Sequence, residues 1–180
     1  EKTISLQKNM AESCAECSLP VFESADVKIE GQGKAVSTEK YTRVKEFEAK
    51  TTRERWEYFR NEISRCIRCN ACRQACPNCY CKVCFVDQTK PRWVGAGDDL
   101  TDIMTYHLGR IFHQAGRCVG CDACVRACPQ NIDLRLFTQK LVKDVEELYS
   151  FVPGVSEEAV PPLCTFTQDD TQHFITEPSD

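Results

Sequence analysis

The side chains in this sequence that could do chemistry are overwhelmingly cysteines, fourteen in 180 residues. Their spacing decides what that chemistry is. Cys66-Ile-Arg-Cys69-Asn-Ala-Cys72-Arg-Gln-Ala-Cys76-Pro77 has the form C-x2-C-x2-C-x3-C-P, and Cys118, Cys121, Cys124, Cys128 and Pro129 repeat it 52 residues later. Three cysteines at i, i+3 and i+6 wrap a short loop around one face of an iron–sulfur cubane, each thiolate reaching a different iron. The fourth lies too far round to close the same cube, and in two-cluster ferredoxins it ligates the other cluster. The spacing therefore predicts Cys66, Cys69, Cys72 and Cys128 around one [4Fe-4S] cluster, with Cys118, Cys121, Cys124 and Cys76 around a second. Zinc fits these repeats poorly, because zinc sites pair two C-x2-C knuckles without a third in-phase cysteine or the C-P ending.

Five more cysteines could form a third centre: Cys14 and Cys17 near the N-terminus, and Cys79, Cys81 and Cys84 directly after the first repeat. A cube needs four of the five. The same residues could instead hold zinc in a four-thiolate site, or remain plain thiols. A redox role for Cys14-Ala-Glu-Cys17 lacks the surrounding βαβ pattern it would need. Cys164 stands alone and is expected to be a buried, inert thiol. His107, on an apolar helix face, is expected to be a satisfied core histidine. Arg65, Arg68, Arg73, Arg117 and Arg126 crowd the cysteines and would either offset cluster charge or be solvated surface charges.

The elements that must position these residues are helical. Thr51-Thr52-Arg53-Glu54 reads as a capping box opening a helix to about residue 65, with Trp56, Phe59 and Ile63 on its apolar face. Asp98 and Asp99 favour a second helix start, and Leu100, Ile103, His107, Ile111 and Ala115 mark one face running to Gly116. Asp133 caps a third, with Leu134, Phe137, Leu141, Val145 and Leu148 at helical spacing, stopped by Pro153 and Gly154. No alternating strands flank the repeats. The expected fold is mainly α: an α-helical ferredoxin-like two-cluster domain at 51–152, an extended N-terminal arm with the cysteine pair at 1–50, and an irregular C-terminal tail at 153–180.

Other classes are excluded or demoted by composition. A formal charge of −4 and a pI near 5.5 argue against binding a phosphate backbone, and so against a nucleic-acid repair factor. No apolar run suits membrane insertion. Without a secretion signal a cytoplasmic, reducing location is expected, where thiols meet metal rather than each other. The nucleotide- and flavin-binding glycine patterns and the nucleophile elbow are missing. A stand-alone reductase would need a cluster with an open position, yet both repeats supply four ligands. The expected chain is a non-catalytic carrier of single electrons.

The stretch from Arg55 to Leu148 resembles the dicluster iron–sulfur subunits of anaerobic oxidoreductase complexes, those of heterodisulfide reductase, formate dehydrogenase and hydrogenase. The residues that carry the likeness are Trp56-Glu-Tyr-Phe, Arg65-Cys-Ile-Arg-Cys, Cys76-Pro-Asn-Cys-Tyr-Cys-Lys-Val-Cys-Phe-Val-Asp and Ala115-Gly-Arg-Cys. In size the chain is similar to the small iron–sulfur subunit of tungsten-containing class II benzoyl-CoA reductase. The resemblance implies a large catalytic partner subunit, a further donor or acceptor subunit or ferredoxin, and no substrate chemistry in this chain.

Overall fold

The structure is a computed structural model that describes residues 9–16, 26–27, 39–166 and 168. Among them there is no strand. The helices are α1 (Glu12–Ala15), α2 (Thr42–Glu48), α3 (Thr52–Ile63), α4 (Ala71–Gln74), α5 (Leu100–His113), α6 (Ala123–Arg126) and α7 (Leu134–Tyr149), with 3-10 turns at Phe85–Asp87 and Pro162–Cys164.

The three long helices start where the sequence places them. Thr51 accepts from the Glu54 amide at 3.3 Å, while the Glu54 carboxylate accepts from the Thr51 amide at 2.8 Å. This reciprocal box satisfies two of the donors that a helix start otherwise leaves open. Asp99 accepts from the Thr101 amide and Asp133 from the Leu136 amide, which caps α5 and α7 in the same way. α7 ends at Ser150 in a left-handed conformation (φ 51°), before Pro153 is reached.

α5 is the central element, in contact with α3 on one side and α7 on the other. Phe59, Ile63, Ile103, Tyr106, Ile111, Ile132, Leu134 and Phe137 form the core with Cys72 and Val94. Full burial of a side chain such as Ile63 contributes about 1.5–3 kcal/mol. Phe59 meets Phe137 edge-to-face at 5.1 Å, with Phe47 and Tyr58 around them. Trp56, expected on the same inward face as Phe59 and Ile63, is half exposed, and Leu148 is largely exposed. The turn-rich segment before α5 is latched by its glycine. The Gly95 amide donates to Asp102 at 2.9 Å, and a β-carbon on Gly95 would stand 2.0 Å from that carboxylate.

Two expectations need revision. The segment assigned to an extended N-terminal arm contains α2, whose Val44 is buried against α7. Glu48 pairs with Lys140 and Lys143, and the Tyr41 hydroxyl donates to Glu146 at 2.6 Å. The helix is short and held by partners about a hundred residues away, so local periodicity carries little sign of it. Cys164, expected to be buried, is exposed. Pro161 and Pro162 face inward over Gly116, and the stiff turn they make sends Leu163 and Cys164 outward.

Thr51→Ala should destabilise the folded chain by about 1 kcal/mol in anaerobic urea titration. An unchanged midpoint would mean that the box contributes nothing. Alkylation of the folded, metal-loaded chain should reach Cys164, and Cys164→Ser should leave iron content unaltered.

Candidate metal centres

Each cysteine repeat folds the same way, residue for residue. In the first, Arg68 and Asn70 take left-handed φ values of 52° and 59°, and in the second Gly120 and Asp122 take 67° and 59°. The chain curls at these points, then starts a single helical turn, α4 or α6. Asn70 accepts from the Arg73 and Gln74 amides and Asp122 from the Val125 and Arg126 amides, at 2.9–3.1 Å. Beyond the proline, the Cys79 amide donates to Cys76 and the Asn131 amide to Cys128. Cys79 thus occupies in the first repeat the place of Asn131 in the second.

The left-handed residues differ in what they cost. Gly120 has no β-carbon to strain, and one added there would lie 2.9 Å from Gln139 Nε2. Arg68 accepts the strain, about 1–2 kcal/mol, and its guanidinium is tied to the Gly95 and Gly97 carbonyls. Asp122 is held by buried Arg135 of α7, which also donates to the Gly120 carbonyl and to Glu16.

These curls bring the thiols into two small cavities. One is lined by Cys66, Cys69, Cys72 and Cys128, with Ile67, Tyr106, His107, Ile132 and Leu134. The other is lined by Cys76, Cys118, Cys121 and Cys124, with Arg110, Gln114 and Thr138. In each the last cysteine comes from the opposite repeat, carried there because α4 and α6 pack side by side. The electrostatics trace the same grouping. Burial raises the Cys66 thiol, the Arg68 amide opposes this, and Cys72, Cys128 and Cys69 push it further up. Cys118 is raised by burial, opposed by the Gly120 amide, and raised again by Cys76 and Cys121.

Polar groups from α5 face the sulfurs. Tyr106 Oη lies 3.4 Å from Cys72 Sγ, and His107 Nε2 lies 3.2 Å from Cys66 Sγ. Burial, then Arg110, pulls His107 down to about 4, so the ring is neutral at neutral pH. Nε2 is the ring nitrogen that faces the sulfur, and His107 Nδ1 is left buried without a partner. His107 is therefore buried as expected but is not a satisfied core histidine. Tyr106, Arg110, Gln114 and Arg135 were not singled out by sequence. Their spacing from His107 on α5, and Asp122 opposite Arg135, were the available signals.

A third, larger cavity of about 500 Å³ is lined by Cys79, Cys81 and Cys84 with Arg73, Lys82, Arg110, Arg117 and His113. Phe85 closes one side, its ring seated so near Gly109 that a β-carbon there would lie 2.7 Å away. Gln114 bridges toward the second cavity, 3.5 Å from Cys79 Sγ and 3.7 Å from Cys76 Sγ. A hydrogen bond from Cys79 pulls the Cys76 thiol down to about 6, while Cys79 itself is pushed up. Cys14 is exposed, and Ser13 and Glu16 beside it line a different cavity, near Cys118 and Arg135. The structure does not bring Cys14 to Cys79, Cys81 and Cys84. Cys17 lies outside the described residues. Of the arginines expected near the cysteines, Arg65 is tied to Glu62 and Arg126 to the Cys121 carbonyl, while Arg73 and Arg117 face the third cavity. Among the described residues, no three His, Cys, Asp or Glu side chains converge as ligands of one ion.

The donor chemistry fits a [4Fe-4S] group in both small cavities: four thiols each, apolar walls, and amides aimed at sulfur. The sequence pattern of the 4Fe-4S dicluster domain matches residues 62–132, which contain both repeats. The chain is 31% identical over 80 residues to a ferredoxin-3 of Sinorhizobium fredii, covering 43% of this chain and 75% of that protein. It belongs to the 4Fe-4S dicluster ferredoxins, iron–sulfur proteins of electron transfer. It is also 29% identical over 110 residues to the F420-dependent formate dehydrogenase subunit beta of Methanocaldococcus jannaschii, which takes in 61% of this chain and 27% of that one. The corresponding subunit of formate dehydrogenase 1 from Methanococcus maripaludis is 28% identical over 107 residues, 59% of this chain and 27% of that one. The chain thus spans about a quarter of the length of these two subunits. No helix among the described residues is long and apolar enough to cross a membrane.

Gly120→Val puts a β-branched residue at φ 67° beside Gln139. It should lower the iron and acid-labile sulfide of the chain while the first centre's spectroscopic signal persists. Full iron content would show that the curl tolerates a side chain.

Proposed function

We propose that this chain is the electron-transfer subunit of a larger oxidoreductase, in which Cys66, Cys69, Cys72 and Cys128 hold one [4Fe-4S] cluster and Cys118, Cys121, Cys124 and Cys76 a second. The single observation that carries the reading is the grouping of four thiols, three from one repeat and one from the other, around each of two neighbouring cavities. Such a cluster accepts and returns one electron with little change of geometry. The residues of this chain do the rest. They partly cover most of the thiols and place the Arg68 amide and the Tyr106 and His107 side chains against sulfur, which stabilises the more negative state. Each repeat gives thiols to both cavities, so electrons pass between the two centres within the chain.

The catalytic partner is of the formate dehydrogenase type, as the two formate dehydrogenase subunits among its relatives suggest. The benzoyl-CoA reductase reading rests on chain size and stands behind it. Cys79, Cys81 and Cys84, lining one cavity, provide three ligands of a third centre. The domain that carries this machinery is 51–152, extended by α2.

Cys76→Ser should weaken the centre held by Cys118, Cys121 and Cys124 and spare the other. Loss confined to the centre of the first repeat would overturn the crossed assignment. About 12 iron per chain supports three cubes, whereas about 8 with one zinc assigns the third site to zinc. Purification from its own cells should retain a large subunit that oxidises formate. Retention of a tungsten-containing subunit without that activity would favour the benzoyl-CoA reductase reading. Turnover of an organic substrate by the isolated chain would contradict the carrier role.

A further inference from the structure

Arg110 is a buried cation with unmet bonding capacity. Only 4% of it is exposed, its Nη2 donates to the Cys72 carbonyl at 2.9 Å, its Nε and Nη1 meet no nitrogen or oxygen acceptor, and the Cys124 sulfur lies within reach of its side chain. A guanidinium carries five N–H donors and cannot lose its charge. An unpartnered buried donor costs about 1–3 kcal/mol, and more when charged. A protein that retains two such donors in its core holds an acceptor for them in its working state.

The surroundings say where that acceptor lies. Arg110 lines the cavity of Cys76, Cys118, Cys121 and Cys124 and also the cavity of Cys79, Cys81 and Cys84. Through Cys72 its fork reaches the wall of the first cavity as well. Burial works against its charge, and the groups nearest it are Cys72, Cys124, Cys79 and Tyr106. The residue stands at the junction of three sulfur-lined spaces.

We propose that Arg110 is the shared electrostatic anchor of the relay: its free N–H groups donate to sulfur of the group bound in the Cys76–Cys118–Cys121–Cys124 cavity, and its fixed charge raises the reduction potential of both principal centres. This rests on the electron-transfer reading above. The other arginines near the repeats do not share the role. Arg126 donates to the Cys121 carbonyl at 2.9 Å but is exposed, and Arg135 is matched by Asp122 and Glu16.

Redox titration of the metal-loaded chain, followed by low-temperature EPR, tests the proposal. Arg110→Gln should lower the second centre's potential by at least about tenfold in the one-electron equilibrium, about 59 mV. The first centre should fall by less, with iron and sulfide unchanged. Arg110→Lys should give a smaller drop, because it keeps charge and loses the fork. Arg126→Gln should move neither potential. Unshifted potentials in both Arg110 variants would overturn the proposal. So would a lowering no larger than that of Arg126→Gln. Wild-type chain labelled with guanidino-15N-arginine gives a reading that needs no variant to assemble. Its reduced second centre should show a 15N coupling that Arg73→Lys and Arg117→Lys leave in place, and absence of the coupling would also overturn the proposal. If wild-type chain binds no iron at all, it is the electron-transfer reading that fails, and the two failures are separable.

Discussion

The fold turns on one geometric requirement: the last cysteine of each repeat must face the cavity of the other. Three cysteines within seven residues can share a cavity through local backbone curvature alone. The fourth, four residues on, has already travelled through a helical turn and points away. The two repeats must therefore lie against each other, and α4 and α6 do so. Neither cavity can be completed unless two repeats offset by 52 positions are brought together. The long helices serve this juxtaposition. α3 ends just before the first repeat, α5 just before the second, and α7 begins just after it.

The same requirement sets the electrostatics. Eight thiols in two small, half-buried spaces would be costly to ionise unless donors and positive charge were placed nearby. The chain supplies them from three sources. Backbone amides reach sulfur because left-handed residues turn them inward, as at Arg68 and Gly120. Tyr106 and His107 reach it from α5, which runs alongside both cavities. Arg110, one turn further on, brings a full charge into a setting of thiols and a phenol. The third cavity extends this pattern outward with Arg73, Lys82 and Arg117 around Cys79, Cys81 and Cys84.

The sequence was most informative where geometry is local or strictly repeated. The spacing of Cys66 to Cys76 and of Cys118 to Cys128 pointed to the groups that the structure draws together. Thr51, Asp99 and Asp133 announced their helices because capping needs only neighbours within four residues. It was silent where partners are distant or are sulfur atoms. Tyr106 and Arg110 sit on the buried face of α5, but an apolar periodicity passes over polar residues whose partners lie in another repeat. α2 depends on Lys140, Lys143 and Glu146, far along the chain. Cys164 looked inert because an isolated cysteine is usually buried, whereas two prolines packing on Gly116 turn it to solvent. Asn131 stands in the second repeat where the first has Cys79, so only the first repeat gives cysteines to the third cavity.

A chain so arranged has the features of a wire: eight thiols grouped about two neighbouring cavities, four to each. Two neighbouring cavities of four thiols each should hold two one-electron centres close enough to interact within one small helical domain. The decisive measurement is low-temperature EPR of the metal-loaded chain through a reductive titration. The expected result is a simple signal at half reduction that broadens and splits as both centres become paramagnetic. A fully reduced chain that shows only one isolated, unsplit signal, or none, would contradict it.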